Sequence, residues 1–265
     1  MSHTATGNTG QIWNTDAYAA NGRFVATLAS DVVALLKPQP GEDILDLGCG
    51  DGALTEQLAA TGAIVTGVDA SPAMLAAARK RNLDSARGFD LAQHDATALP
   101  YHHQFDAVFS NAALHWITGL SGQQAMLTGV HRALRPGGRF VAEMGGQGNI
   151  AAIRTALQAV LVPFQINAEE AAASFYPSAD IYRRLLEAAN FTVKSIELIP
   201  RPTPLPNGME SWLNTFRNGV LDRLDTTDRA TALTNTISLL EPILRDADGN
   251  WTADYVRLRF HATKP

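Results

Sequence analysis

The feature that most constrains the fold is a glycine-rich turn that directly follows a short apolar segment. Residues 44–47 read Ile-Leu-Asp-Leu, and residues 48–53 read Gly-Cys-Gly-Asp-Gly-Ala. Glycine adopts tight backbone conformations at little steric cost, and such a turn can bring a ligand against the N-terminus of the following helix. The segment therefore predicts a strand, a tight turn at which a ligand binds, and a helix over 53–61.

Short apolar segments and Ala-rich amphipathic segments alternate along the chain from this point. The pattern predicts further helices, one of them capped by Ser71 and another over 123–134. The first five predicted strands cover 44–47, 64–68, 88–94, 105–110 and 139–144. Strand and helix in regular alternation are typical of a parallel sheet that helices cover on both faces. We therefore predict an α/β fold with a doubly wound sheet.

The 265 residues approach the upper limit for one hydrophobic core, which favours one large domain with an appendage. Prolines 200, 202, 204 and 206 predict a stiff connector, and a helical segment follows before the last strand. This insertion is too long for an ordinary connection, so we interpret it as a helical lid. The predicted division is a flexible tail (1–10), an N-terminal helical cap (11–37), a core (38–199 and 250–265) and the lid insertion (200–249).

Charge and composition exclude several classes of partner. The net charge of −5 argues against nucleic acid or an anionic membrane surface, because both require a basic face. Cys49 is the single cysteine, so no multi-cysteine metal site is expected, and the chain suits a reducing compartment, here predicted to be cytoplasmic. A small molecule is the expected partner. The sequence leaves the oligomeric state open.

The glycine turn is compatible with two kinds of cofactor. Gly48, Gly50 and Ala53 satisfy the relaxed dinucleotide-binding fingerprint. Asp69 lies at the end of the second predicted strand, where an acid that binds ribose belongs. These residues permit a nicotinamide-dependent oxidoreductase. A module that binds a nucleoside without catalysis is a further alternative.

Two other acids favour S-adenosylmethionine over a nicotinamide. Asp46 precedes the first glycine by two residues, where its carboxylate would repel a pyrophosphate but would suit a cationic sulfonium and ammonium. Asp95 follows the third predicted strand and is placed to accept a hydrogen bond from an adenine amino group. Three acids on adjacent strand ends indicate a pocket for a cationic nucleoside.

Five segments in this order and spacing resemble the class I S-adenosylmethionine-dependent methyltransferases. They are ILDLGCGDG, GVDASPAML, HDATALP, FSNAALHW and LRPGGRF, which lie within residues 41–145. Within that class the chain is most similar to the branch that contains trans-aconitate methyltransferase and the malonyl-carrier-protein carboxyl methyltransferases. The N-terminal residues Trp13, Tyr18 and Arg23 extend the similarity.

The resemblance implies a seven-stranded Rossmann-like sheet of order 3-2-1-4-5-7-6 with the last strand antiparallel. It also implies that Asp69 holds the ribose hydroxyls and that the backbone of Gly48 and Gly50 passes under the methionine portion of the cofactor. Further implied contacts are those of Ala70 and Met74 beside the adenine, Asp95 and Ala96 at its other edge, Asn111 at the amino end, and Tyr18 and Arg23 over the cofactor.

The resemblance also implies transfer of a methyl group to a small-molecule acceptor, for which we predict a carboxylate or hydroxyl oxygen. A hydroxyl must lose a proton, whereas a carboxylate is already ionised at neutral pH. His115 follows the fourth predicted strand and is the candidate catalytic residue, either as a general base or as a hydrogen-bond donor that orients the loop. Trp116, Trp212 and Phe216 are candidate acceptor-binding residues, although packing alone would also explain them.

Overall fold

The computed structural model describes residues 29–265. The predicted flexible tail, most of the N-terminal helical cap, and the candidate cofactor-binding residues Tyr18 and Arg23 lie outside the described residues. The described part of the cap contains one helix, α1, at Ser30–Leu36. Its buried residues Val32 and Leu36 pack on the sheet.

Seven strands form one sheet of order β3-β2-β1-β4-β5-β7-β6. Neighbouring strands among β1 to β5 are parallel, and β7 is antiparallel to both β5 and β6. The predicted fold class and strand order are confirmed. The strands are β1 Asp43–Leu47, β2 Ile64–Asp69, β3 Asp90–Gln93, β4 Phe105–Asn111, β5 Leu134–Gly145, β6 Thr192–Pro204 and β7 Thr252–Thr263.

Helices cover both faces of this sheet, as expected when every crossover connects parallel strands. Side chains alternate along each strand, so Phe140 and Ala142 pack against α4 and α7, whereas Val141 packs against α1 and α2. The helices after α1 are α2 Ala53–Ala60, α3 Pro72–Leu83, α4 Gly119–Ala133, α5 Ala151–Leu161, α6 Ala168–Ala172, α7 Ala179–Ala188, α8 Gly208–Phe216, α9 Asn218–Leu221 and α10 Thr226–Leu244.

The proline-rich segment belongs to β6, although the sequence predicted a connector there. β6 is an edge strand, and Pro200, Pro202 and Pro204 alternate with Arg201 and Thr203 along its pairing with β7. Prolines at every second position leave the hydrogen-bonding side of the strand intact, and their missing N–H groups fall on the outer edge. β6 therefore continues through the proline-rich segment as far as Pro204.

β6 and β7 continue beyond the rest of the sheet as a two-stranded ribbon. β5 ends at Gly145, opposite Arg257, whereas β6–β7 pairing runs on from Pro200–Val256 to Pro204–Thr252. The ribbon thus projects past the carboxyl ends of the parallel strands. It brings Tyr255 and Arg257 to the edge of the sheet where a ligand would bind.

The insertion before β7 is helical, and its helices share a hydrophobic core with an earlier segment. Trp212, Leu213 and Phe216 of α8 and Leu233 and Leu240 of α10 pack in one cluster with Ile153 and Leu157 of α5. Helix α5 falls within the segment that the sequence assigned to the methyltransferase core. The layer above the sheet is therefore built from residues 150–172 together with the insertion.

In the part of the chain that the structure describes, every helix is too short or too polar to cross a membrane.

Candidate active site

A cavity of about 820 Å³ lies at the carboxyl edge of the parallel strands, beneath the helical insertion. This is the edge at which open α/β sheets bind their ligands, and the volume suits a ligand with a cofactor. Nearly all predicted site residues within 29–265 line it: Gly48, Gly50, Asp69, Ala70, Met74, Asp95, Ala96, Asn111, His115, Trp116, Trp212 and Phe216. The structure therefore brings residues from distant parts of the chain into one site.

The glycine turn between β1 and α2 packs closely on the loop after β4. Gly48 has a φ of 77°, and a Cβ there would lie 2.2 Å from the Cβ of Ala113. A larger residue would both strain the backbone and push the two loops apart. Gly50 also has a positive φ, 55°, but a Cβ there would meet no atom within 4 Å. Its backbone is thus open to the cavity.

Asp69, the last residue of β2, organises the turn as well as lining the cavity. Its Oδ2 accepts from the backbone N–H of Gly50 at 3.0 Å, and its Oδ1 accepts from Ser71 N–H at 2.8 Å. Burial raises the pKa of Asp69 above its ordinary value, and these backbone hydrogen bonds partly offset the effect. Each oxygen has a second acceptor site for a ligand hydroxyl.

Asp95 and the residues after it form the opposite wall near β3. The Asp95 carboxylate accepts from the backbone N–H of Thr97 at 2.8 Å and from its hydroxyl at 2.7 Å, which caps the short helical turn Ala96–Ala98. Met74, in the first turn of α3, is buried nearby in the lining, and the Ser71 hydroxyl accepts from its N–H at 3.3 Å. Local capping therefore holds both walls in place.

Asp46 does not line the cavity, contrary to the contribution that the sequence argument assigned to it. Its carboxyl is 2% exposed and accepts a hydrogen bond from the Thr55 hydroxyl at 2.6 Å. Burial is the main cause that raises the pKa of Asp46 to about 7. The residue faces α2 because it alternates with Leu45 and Leu47, which pack on the other face of the sheet. Asp46 therefore supports the turn through its hydrogen bond with Thr55 of α2 and not from the cavity.

His115 lies in the helical turn Leu114–Trp116 after β4 and is 5% exposed. The backbone N–H of Gly145 donates to its Nδ1 at 3.4 Å. Burial, followed by the positive charges of Arg257 and Arg217, holds the pKa of His115 well below 6.5. The imidazole is therefore neutral at pH 7, with its proton on Nε2, because Nδ1 is the acceptor.

The cavity lining also contains Tyr176, Tyr255 and Arg257, which the sequence did not identify as site residues, and Arg217. The ring of Tyr176 stacks on His115 with centroids 5.7 Å apart, and its hydroxyl accepts from Nη2 of Arg217 at 3.0 Å. Arg217 follows Phe216 directly, and its spacing from Trp212 places both in α8 or at its end. Arg257 and Tyr255 occupy alternate positions of β7, but this pattern alone does not reveal what covers that face.

The candidate acceptor-binding aromatics differ in their contacts. Trp116 lies beside His115, with ring centroids 4.9 Å apart. Trp212 is 3% exposed, and its indole N–H donates to the Tyr255 hydroxyl at 2.7 Å. Phe216 packs on Trp212 at 5.3 Å. Trp212 and Phe216 also belong to the core of the helical layer, so packing and cavity lining are combined in the same side chains.

Charge is divided across the cavity. Among the described residues that line it, the carboxylates are Asp69 at the end of β2 and Asp95 after β3, and the arginines are Arg217 at the end of α8 and Arg257 in β7. His115 follows β4, between the two ends. Such an arrangement favours a cationic ligand at one end and an anionic ligand at the other.

Comparison with known proteins identifies the class to which this site belongs. Residues 45–142 match the family described as methyltransferase domain. An uncharacterized methyltransferase of Schizosaccharomyces pombe is 38% identical over 95% of this chain and 98% of its own length. The chain belongs to the class I S-adenosylmethionine-dependent methyltransferases, so it is an enzyme and S-adenosylmethionine is its cofactor.

Two further similarities show less, because one covers about half of the chain and the other concerns only the fold. Trans-aconitate 2-methyltransferase of Deinococcus radiodurans is 38% identical over 48% of this chain and 46% of its own length. The structure of phosphoethanolamine N-methyltransferase 2 of Haemonchus contortus in complex with S-adenosyl-L-methionine superimposes with a TM-score of 0.58. That similarity covers 90% of this chain and 52% of the other at 21% identity, and it concerns the fold. The nicotinamide-dependent alternative is thereby replaced by the methyltransferase assignment.

Proposed function

We propose that the enzyme transfers a methyl group to a carboxylate oxygen of a small organic acid and so forms a methyl ester. The observation that carries this proposal is the hydrogen bonding of His115, which determines which ring nitrogen holds the proton. Its Nδ1 accepts from Gly145 N–H, so Nε2 is the protonated nitrogen. A neutral imidazole in this tautomer is a hydrogen-bond donor that can orient an anionic acceptor.

A hydroxyl acceptor suits this histidine poorly. Deprotonation of an alcohol requires a base whose conjugate acid holds the proton well. The pKa of His115 lies well below 6.5 because of burial and the two nearby arginines. A carboxylic acid needs no base at neutral pH because its ordinary pKa is about 4. The depressed basicity of His115 is therefore compatible with methylation of a carboxylate.

The residues at the other end of the cavity fit the cofactor. We propose that Asp69 holds the ribose, that Ala70, Met74, Asp95 and Ala96 surround the adenine, and that Gly48, Gly50 and Asn111 contact the methionine portion. The open backbone at Gly50 and the two acids of the lining support this assignment. When bound, S-adenosylmethionine supplies a methyl group on a cationic sulfur: a carbon–oxygen bond forms, the carbon–sulfur bond breaks with its electron pair going to sulfur, and no proton moves.

The chain's own contribution to rate is alignment and exclusion of water. His115 would orient the acceptor, and the buried aromatics Trp212 and Phe216 of the helical layer would cover it. In-line displacement depends strongly on the position of the attacking atom, so orientation alone accounts for much of the gain. We propose that the helical insertion between β6 and β7 acts as a lid that closes over this chemistry.

The name of one relative also supports a carboxylate acceptor, since the Deinococcus radiodurans protein is a trans-aconitate 2-methyltransferase. The acidic net charge of −5 supports a small-molecule acceptor over nucleic acid or a membrane surface. A cytoplasmic location fits the same reading, because a single buried cysteine suits a reducing compartment.

The proposal is tested by incubating the purified enzyme with S-adenosylmethionine and a panel of carboxylic acids, phenols and aliphatic alcohols. Mass spectrometry detects the added methyl group, and mild alkali releases it from an ester but not from an ether. We expect alkali-labile products from acids alone. Asp69→Ala serves as a control that lowers cofactor binding. Methylation of phenols or alcohols with no ester formed would contradict the proposal.

A further inference from the structure

Two buried arginines of the cavity have no carboxylate partner in the rest of the described chain. Arg217 is 3% exposed and Arg257 is 7% exposed. Neither takes part in the ion pairs found within residues 29–265. In the same range Nε of Arg217 is buried without a hydrogen-bond partner. A buried, uncompensated charge is costly to folding, and an anionic ligand would relieve that cost.

The described side chains that contact these arginines are aromatic. Arg217 donates a hydrogen bond to the Tyr176 hydroxyl, and its guanidinium carbon lies 5.9 Å from the centroid of the Trp212 ring. The guanidinium carbon of Arg257 lies 4.4 Å from the centroid of the Tyr255 ring. Aromatic faces attract a cation without neutralising it, and they leave other guanidinium N–H groups available to an anion. The pair therefore has the chemistry of an anion-binding subsite.

Extending the proposed function, on which this inference rests, we propose that Arg217 and Arg257 bind a second anionic group of the acceptor, one that is not methylated. The acceptor class is then a small acid that carries two anionic groups, the second being a carboxylate or a phosphate-type group. Tyr176 is the positioning residue of this subsite, since its hydroxyl accepts from Arg217 and its ring stacks on His115.

Charge changes during methyl transfer explain why the arginines would hold the group that does not react. The attacking carboxylate loses its negative charge as the ester forms. A guanidinium that bonds this carboxylate stabilises the starting state more than the transition state and so slows the reaction. The charge of a second anionic group persists throughout, so arginines that bind it hold the acceptor in place at no such cost.

The sheet sets the distance between the acceptor carboxylate that His115 would orient and the second anionic group that the arginines would bind. Arg257 of β7 is paired with Gly145 of β5, the same residue whose N–H donates to His115. Tyr176 joins His115 to Arg217 through one ring stack and one hydrogen bond. The anion subsite is therefore one layer of side chains away from His115. This geometry favours a short acid, with a few carbons between its two anionic groups.

The first experiment compares acids that are matched in length and differ in charge. Succinate is paired with butanoate and with monomethyl succinate, which retains one carboxylate, and 3-phosphonopropanoate tests a phosphate-type second group. We expect kcat/KM for the dianionic acids to exceed that of the matched monoanions by about 10- to 100-fold, the value of one or two charge-assisted hydrogen bonds. Equal values for both kinds of acid would overturn the inference.

The second experiment removes each charge with Arg217→Gln and Arg257→Gln. We expect either substitution to reduce the preference for dianions to within about threefold, chiefly by raising KM for the dianion. Arg217→Lys should recover part of the preference because the charge remains. Arg223→Gln changes an exposed arginine of the same insertion and is the matched control. A preference for dianions that survives both substitutions would contradict the assignment.

A binding measurement separates failure of this inference from failure of the proposed function. Succinate and butanoate are titrated calorimetrically into the enzyme saturated with S-adenosylhomocysteine. Binding of succinate that is lost in both glutamine variants supports the anion subsite even if no acid is methylated, in which case only the ester-forming function fails. If acids are methylated but succinate binds equally well to wild type and to both glutamine variants, the proposed function is retained and the anion subsite is refuted.

Discussion

Gly145 and His115 are joined by a hydrogen bond in which the backbone N–H of Gly145 donates to Nδ1 of the imidazole at 3.4 Å. The carbonyl oxygen of His115 in turn accepts from Phe175 N–H at 2.8 Å. These contacts attach the loop after β4 both to the end of β5 and to the segment before α7. Within residues 29–265, the backbone of the sheet rather than an acidic side chain therefore sets the tautomer of His115.

Replacement of His115 distinguishes a donor from a base. In His115→Gln the amide still donates a hydrogen bond, so turnover with a carboxylic acid should fall by about tenfold or less. Loss of a true general base would cost about 10²–10⁴ in rate. Initial-rate kinetics with a carboxylic acid, with cofactor affinity measured separately, decide between these outcomes. A loss of 10³ or more at unchanged cofactor affinity would show that His115 is essential in its own right.

The pH profile of the wild type gives an independent check on His115. Burial and the charges of Arg257 and Arg217 lower its pKa, so the imidazole stays neutral throughout the neutral range. We expect kcat/KM for a carboxylic acid to be flat from about pH 6 to about pH 8, with no inflection near the ordinary histidine pKa. A rise in kcat/KM through pH 6–7 that His115→Gln abolishes would favour base catalysis.

Asp69 is expected to support both cofactor binding and the glycine turn. Asp69→Ala should weaken S-adenosylmethionine binding by about 10- to 100-fold, because ribose hydroxyls lose a charged acceptor and Gly50 N–H loses its partner. Asp69→Asn should fall between wild type and alanine, since one oxygen remains. Calorimetric titration measures the dissociation constant. Asp90→Asn, at an exposed carboxylate at the start of β3, is the control, and an unchanged constant for Asp69→Ala would refute the assignment.

Asp46 should make stability depend on pH. Its folded-state pKa is raised to about 7, whereas an unfolded aspartate titrates near its ordinary value of 3.8. Between these values the folded state holds a proton that the unfolded state has lost. Stability from this group is therefore complete below about pH 4 and falls as pH rises to about 7, by roughly 3–5 kcal/mol in total.

Asp46→Asn removes that titration and should flatten the pH dependence. The difference in free energy of unfolding between the variant and wild type, measured with urea at several pH values, should shift in favour of the variant as pH rises from 4 to 8. The amide oxygen can still accept from Thr55, so the loop should keep its shape. Parallel curves for the two proteins would show that the carboxyl is already ionised in the folded state.

Arg217 should lower the stability of the enzyme without ligands. Its Nε is buried without a partner among the described residues, and no carboxylate there compensates its charge. Arg217→Met keeps most of the apolar volume, so we expect a gain of about 1–2 kcal/mol in the free protein, measured by thermal unfolding. Succinate together with S-adenosylhomocysteine should stabilise wild type more than the variant. A variant less stable than wild type in the absence of ligands would contradict this account.

The backbone amides of the helical insertion should be protected from hydrogen exchange only when cofactor product and acceptor occupy the cavity. Helices α8 to α10 pack mainly on α5 in a core separate from that of the sheet, so they can open while the sheet remains folded. Hydrogen exchange with and without S-adenosylhomocysteine and succinate should show slower exchange in Gly208–Leu244, with Ala151–Leu161 protected in parallel. Protection in the free enzyme equal to that of β4 would indicate a fixed cap.

Local features of the sequence were sufficient to predict the sheet and most of the residues at the proposed cofactor end of the cavity. Alternating apolar segments, the Ser71 cap and the glycines at 48 and 50 act over a few residues, so their structural meaning is readable before the chain is folded. Parallel strands also place Asp69 and Asp95 at one edge whatever lies above them. The strand order followed from resemblance and is confirmed by the pairing of the strands.

The acceptor end was decided by tertiary structure. Arg257 occupies a position in β7 whose burial depends on what covers that face, and the helical layer that contains α8 is separated from β7 in sequence by α9 and α10. Asp46 shows the same limit, since strand periodicity assigns its face but not whether water or Thr55 meets the carboxyl. Desolvation depends on the surroundings of a charge in three dimensions. The sequence by itself therefore determined which residues lie at the proposed cofactor end of the cavity, while only the packed structure determined which charges lie at the proposed acceptor end.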